Sequence, residues 1–274
     1  MRRSRIKKYT LAVFGIILAI FWISPFYLVL DNSFKTKKEL FTSTIGLPKK
    51  IQLGNYRQAA VDLGLGESFV NTILITALSI LIIIIFSSMS AYALQRVKRK
   101  TSTFLFIFFT AAMLIPFQAV MIPLVAEFGK VKMLNIPGLI FMYLGFGCSL
   151  GIFLYHGALK GIPQSLDDAA RIDGCGRFRT FWLIVFPMLK PTTVTIIVLD
   201  IMWIWNDYLL PSLVVNKQGM RTLQLMIFYF FGQYTRQWHL ALAGLTIAIL
   251  PVLIFYFLVQ KQIVKGIISG AVKQ

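Results

Sequence analysis

Carboxylates are scarce in this chain, with ten Asp and Glu against 28 Lys and Arg among 274 residues. Only 14% of the residues are charged, too few to clothe a water-soluble domain of this size. Cysteine is nearly absent: Cys148 and Cys175 form no CxxC pair, have no histidine nearby in sequence, and leave neither a disulfide framework nor a metal set. The two histidines, His156 and His239, fall at the ends of apolar runs, where an interfacial histidine is the expected reading. No G-x-x-x-x-G-K-S/T phosphate loop occurs, so the chain alone has no cradle for ATP. No cofactor or metal is expected. Low-complexity tracts and internal repeats are also missing, and one domain over 1–274 suffices.

What the chain has is hydrocarbon: 57% hydrophobic residues, 24 Phe and a mean hydropathy of +0.75. A bilayer core of roughly 30 Å needs a helix of about 20 apolar residues. Six such runs stand at about 9–30, 70–93, 103–125, 136–156, 183–206 and 240–259. Basic residues avoid all six except Lys190, near enough to a span end to snorkel outward. The segments 1–8, 94–102, 157–182 and 260–274 carry 16 basic residues in 58, and the alternating set 31–69, 126–135 and 207–239 carries 11 in 82. The denser set is expected inside, which predicts both termini in the cytoplasm. The net charge of +18 then needs no nucleic acid, because the start MRRSRIKK is accounted for by topology and anionic membrane lipid. The first apolar run is followed by Asp31, Asn32 and Ser33 without a small-residue cleavage site, so it reads as an uncleaved span.

Several spans carry unusual residues. Pro116 and Pro123 flank Gln118 in LIPFQAVMIP, predicting a kinked helix with a polar group turned toward protein. The small residues of GFGCSLG, 145–151, permit close helix approach. Asp200 lies about eight residues, or roughly 12 Å, before Tyr208 at helical rise. A carboxylate that deep is paired, protonated or lining a wet cavity, and a structural role and a conduit role fit equally. Asn206 and Asp207 stand beside Trp203, Trp205 and Tyr208, a combination suited to stacking on a sugar and accepting from its hydroxyls. Trp and Tyr also gather at bilayer interfaces with no ligand, and the same holds for FYFFGQYTRQW, 228–238.

The densest mixed charge is DDAARIDGCGRFR, 167–179, between two apolar runs. Ser165 is expected as an N-cap with Asp168 completing a capping box, two carboxylates in the first turn, and Gly174 as the left-handed stop. Leu166, Ala169 and Ala170 would share one shallow face of this short helix. Such a helix suits docking to another protein, and an ordinary solvated interhelix loop has the same composition.

The stretch resembles the EAA motif of ABC importer permeases: Glu-Ala-Ala, two residues, Asp-Gly-Ala, about eight residues, Ile-x-Leu-Pro. Asp168-Ala169-Ala170, Asp173-Gly174-Cys175 and Ile184-Val185-Phe186-Pro187 stand at those positions, with Asp for Glu, Cys for Ala and Phe for Leu. With SAYALQRVKRK (90–100), LIPFQAVMIPL (114–124), WNDYLLP (205–211) and the tail QKQIVKGIISGAVKQ (260–274), the chain is similar over nearly its whole length to carbohydrate permeases of the maltose-transporter, MalG-like, type.

That resemblance implies an all-α integral membrane protein of six transmembrane helices with the type I ABC importer permease fold, in a bacterial inner or cytoplasmic membrane. It implies a heterodimer with a second homologous permease subunit, a cytoplasmic ATPase dimer, an extracytoplasmic solute-binding protein, and a sugar or oligosaccharide as substrate. The chain itself would be no enzyme, since hydrolysis falls to the partner. Coupling to the ATPase is carried over to Asp168, Ala169, Ala170, Asp173, Gly174 and Pro187, within 163–187, the cytoplasmic coupling loop being 157–182. Contact of the cytoplasmic tail, 260–274, with the ATPase is carried over to Lys265 and Gly266, and probing of the binding protein to about 216–238. The candidate substrate pathway comprises Asp200, Trp203, Asn206, Asp207 and Gln118. An ion- or proton-coupled secondary transporter acting without an ATPase, with Asp200 as its site, is the alternative. A phosphatidyltransferase motif, D-x-x-D-G-x-x-A-R, fails at Ala170 and at Arg177-Phe178.

Overall fold

The computed structural model describes residues 2–97, 99–229 and 237–271, with side chains at all of these except 2–7, 9, 229, 259 and 261–271. Helix is the only regular structure among them. Chain order is α1 (Arg2–Ser33), α2 (Lys37–Thr42), α3 (Gly54–Asp62), α4 (Leu65–Arg96), α5 (Lys100–Ala112), α6 (Phe117–Lys130), α7 (Ile136–Leu159) and α8 (Ser165–Ile172). Then follow α9 (Arg177–Thr180), a π-helical turn (Phe181–Val185), α10 (Phe186–Met188), α11 (Lys190–Asn206), α12 (Leu209–Val214), α13 (Leu223–Tyr229) and α14 (Trp238–Ala271).

Four of these helices, α1, α4, α7 and α14, are each long and apolar enough to cross a bilayer. The 24 residues of α7 extend roughly 36 Å, past the hydrocarbon thickness. The other two expected spans are broken. Helices α5 and α6 meet at 99°, and the stretch from Arg177 to Met188 meets α11 at 76°. Proline is the cause at the first break: Pro116, at φ −68° and ψ 138°, precedes α6 and biases Ile115 away from helical geometry. At the second, Pro191 lacks the N–H that would continue the helix through Leu189, and α11 restarts there.

The chain divides into two compact units, Met1–Leu65 with Met226–Pro251, and Gly66–Leu225 with Val252–Gln274. In the first, α1 leaves Phe14, Phe21 and Trp22 more than half exposed, a surface suited to lipid or another subunit. Its end is tied down by a buried polar knot. Lys35 Nζ lies 2.5 Å from Asp31 and donates to Asn32 Oδ1 at 3.0 Å and to the Ser43 carbonyl at 2.9 Å. Asn55 donates to the carbonyls of Ser33 and Lys35. Full pairing is what makes a wholly buried ammonium tolerable.

In the second unit α4 and α7 pack through the small residues of 145–151. A Cβ added to Gly147 would fall 2.5 Å from Ile83 Cδ1, and one at Gly151 would fall 2.5 Å from Ser87 Oγ. Around this seam Ile83, Leu139, Tyr143, Tyr155, Val185 and Leu189 are almost completely buried. At the end of the core near Arg96, the rings of Tyr92, Phe181, Trp182 and Phe186 stack edge and tilt against one another. Of this group Tyr92 reaches α8, its hydroxyl donating to the Asp167 carboxylate.

Candidate functional site

The DDAAR stretch forms a helix of two turns, and each end shows how. Gly174, at φ +81°, takes the left-handed conformation that ends it. Cys175 N–H donates to the Ala170 carbonyl at 2.8 Å and Gly174 N–H to that of Arg171 at 3.0 Å, the paired bonds of a Schellman cap. The N-terminus departs from the expectation. Ser165 is the first helical residue, Gln164 stands at the cap in helical geometry, and no side-chain cap bond forms. The amides of Asp167 and Asp168 turn back onto the Gln164 carbonyl, so the chain coils a residue earlier and the Ser165 capping box is lost. Asp167 and Asp168 do lie in the first turn, where the dipole favours them.

The helix also presents a different face from the one expected. Ala170 is buried and Leu166 half-buried against the core, while Ala169, Asp168 and Ser165 are exposed and Ile172 is 87% exposed. The reason is Asp167. Its carboxylate is buried, one oxygen 2.9 Å from Arg96 Nη2 and the other accepting from the Tyr92 hydroxyl. Arg96 in turn donates to the Ile162 carbonyl at 3.2 Å and lies over the Tyr92 ring. These contacts rotate Leu166 and Ala170 inward and turn Ala169 outward. Asp168 pairs with Arg171, at 3.7 Å with both side chains 59% exposed, a contact worth about 0–1 kcal/mol. Asp173 and Gly174 are exposed beside it. Pro187 stands in α10, at the bend of the second broken span.

A cavity of about 320 Å³ opens beside the Asp167 pair, lined among others by Arg96, Gln164, Arg171, Arg177 and Phe178. Neither Asp167 nor Arg96 and Tyr92 was among the expected site residues. Their sequence separations, 71 and 75, give no local pattern by which to join them.

The expected pathway residues are brought together in part. Asp207 accepts from the Tyr143 hydroxyl at 2.8 Å and from the Leu209 amide at 3.0 Å, binding α7 to the start of α12. Burial pushes its carboxyl up from the usual carboxylate range, and those two bonds hold it back. Trp203 meets the same Tyr143 ring edge-on at 5.4 Å. Asn206 donates to the Met202 carbonyl at 2.7 Å and accepts from Gln224 at 3.2 Å. Asp200 lies apart, 2% exposed, and its Oδ2 has no hydrogen-bond partner among the described residues. Gln118 is exposed in the first turn of α6, with no hydrogen bond to this group among the described residues. The helical tail carries Lys265 and Gly266, the Lys265 side chain lying outside those described, and residues 230–236 of the expected probing loop lie outside the described residues. Among the described residues no cluster of three or more His, Cys, Asp or Glu is placed to hold a metal.

Residues 83–269, which include α8 and its Arg96 and Tyr92 contacts, match the family model described as binding-protein-dependent transport system inner membrane component. The probable starch degradation products transport system permease protein AmyC of Thermoanaerobacterium thermosulfurigenes is 68% identical over the whole of both chains. The multiple sugar-binding transport system permease protein MsmG of Streptococcus mutans is 36% identical, covering 97% of this chain and 96% of that protein. Among solved structures, a chain of a bacterial ABC transporter involved in the import of the acidic polysaccharide alginate superposes with a TM-score of 0.82 over 95% of this chain and 98% of its own, at 24% identity, a likeness of fold.

Proposed function

Because this multi-pass membrane protein belongs to the binding-protein-dependent transport system inner membrane component family, we propose that it is one permease subunit of an ATP-driven importer of sugars or oligosaccharides. The observation that carries the reading is the construction of α8: fixed to its own chain on one side, open on the other, with a bare isoleucine at 87% exposure. A two-turn helix cannot bury itself, so its outer face is offered to a partner. In this reading both termini and the 157–182 loop face the cytoplasm. A cytoplasmic ATPase dimer receives Asp168, Ala169 and Ile172, with Asp173, Gly174 and Pro187 shaping the loop and the Lys265–Gly266 tail adding a second contact. ATP-driven closure of that dimer displaces α8 and rocks the spans between two accesses.

A second homologous permease completes the pathway, and an extracytoplasmic binding protein delivers the substrate. The name carried by the 68% identical relative makes starch degradation products the first class to test. Trp203, Asn206 and Gln118 are the pathway residues with exposed surface left to meet a sugar, since Asp207 is committed to Tyr143 and Leu209. Uptake of labelled maltooligosaccharides by cells carrying the chain and its neighbouring transport proteins is the test. Uptake should stop when the ATPase is inactivated and persist with a protonophore. Loss with the protonophore and persistence without ATP hydrolysis would replace this reading by ion-coupled transport.

A further inference from the structure

We propose that Asp167, clamped by Arg96 and Tyr92, is the positioning group through which displacement of α8 is passed into α4. The proposal rests on the reading of α8 as the docking helix. The apolar contacts holding α8 are thin, the methyl of Ala170 and the half-buried Leu166. Apolar packing of that size is non-directional, so a pushed helix would slide over it. A carboxylate that accepts a directional hydrogen bond from the Tyr92 phenol, while a guanidinium stands at ion-pair distance from its other oxygen, is held from two sides and resists both pull and rotation.

The geometry is that of a tie anchored at both ends. Arg96 is the last residue of α4 and Tyr92 lies one turn before it, so two neighbouring turns of one helix grip the two oxygens of a single carboxylate. Arg96 is itself fixed by its bond to the Ile162 carbonyl, in the segment that leads into α8. The pair is shielded, with the arginine and aspartate side chains 13% and 5% exposed, and salt screens it far less than the surface pair of Asp168 and Arg171. Asp167 points away from the exposed face, so holding α8 and docking its partner fall to adjacent residues with separate duties. The cavity beside the pair holds Arg96, Arg171 and Arg177 with Asp167 as the one carboxylate in its lining, so removing that charge leaves three cations facing one space.

The test uses the assembled complex of this chain with its permease partner, ATPase and binding protein in proteoliposomes, scoring sugar transported per ATP hydrolysed. In Asp167→Asn and Arg96→Gln the ATPase should stay bound and hydrolyse ATP, while the transport-to-hydrolysis ratio falls on the order of tenfold. Asp167→Glu should keep most of the ratio, and the exchange Asp167→Arg with Arg96→Asp should recover part of it. A normal ratio in both single variants would overturn the tie and leave the docking reading standing. Loss of the ATPase from the variants would make Asp167 a docking residue and overturn the tie. Loss of both single variants from the membrane, unrescued by the exchange, would reduce the pair to a folding contact, which also overturns it. If the wild-type complex transports without ATP hydrolysis, the permease reading fails, and the tie fails with it.

Discussion

Gly174→Ala tests whether the end of α8 is set by backbone conformation. The native φ of +81° is one that an L-residue adopts at a cost of about 1–2 kcal/mol. A Cβ at this position meets nothing within 4 Å, so sterics with neighbours add nothing and the penalty is conformational. Alanine also narrows the unfolded chain, which returns about 0.4–1 kcal/mol. A net loss of about 1 kcal/mol follows, enough to lower the population of capped helix about fivefold. Gly174→Asn should lose much less, because asparagine visits the left-handed region readily. The assay pairs amide hydrogen exchange over 165–175 with stimulation of the proposed ATPase: exchange should quicken and stimulation fall in Ala, with Asn between Ala and wild type. Equal behaviour of Ala and Asn, both indistinguishable from wild type, would refute the view that this glycine conformation holds the docking helix in shape.

Three further outcomes are expected. Gly151→Leu should lower thermal stability in detergent by about 1–3 kcal/mol or abolish accumulation, because its Cβ would sit 2.5 Å from Ser87 Oγ and the α4–α7 seam cannot open locally. Lys35→Met should cost about 3–5 kcal/mol by leaving Asp31 buried and unpaired, and Asp31→Leu in the same chain should restore most of it in the same melt. Asp168→Arg should leave the melting temperature unchanged, its ion pair being exposed and loose, yet prevent copurification of the proposed ATPase; an unaltered complex would remove Asp168 from the docking surface.

The apolar runs could be read from composition because a bilayer imposes a length and a polarity that few other settings do. The breaks were half legible: Pro116 announced a kink, but whether a proline bends a helix or breaks it at 99° depends on what packs against the freed carbonyls. Gly174 as a helix stop was legible for the same local reason, since few residues accept its φ. Asp167 was not. In DDAAR the two aspartates look equivalent, and only the arrival of Arg96 and Tyr92 from α4 makes one a buried anchor and the other an exposed group. Likewise the sequence left Asp207 open between a sugar contact and an interfacial role, and only the fold brings the Tyr143 hydroxyl to it.

By itself the sequence determined that this chain lives in a membrane and that one short charged helix stands between its apolar runs, because each of these follows from hydrophobicity, proline and glycine acting within a few residues. Tertiary structure decided which face of that helix is anchored and which is offered. That choice is made by a guanidinium and a phenol more than 70 residues away in sequence, and no local rule reaches across that distance.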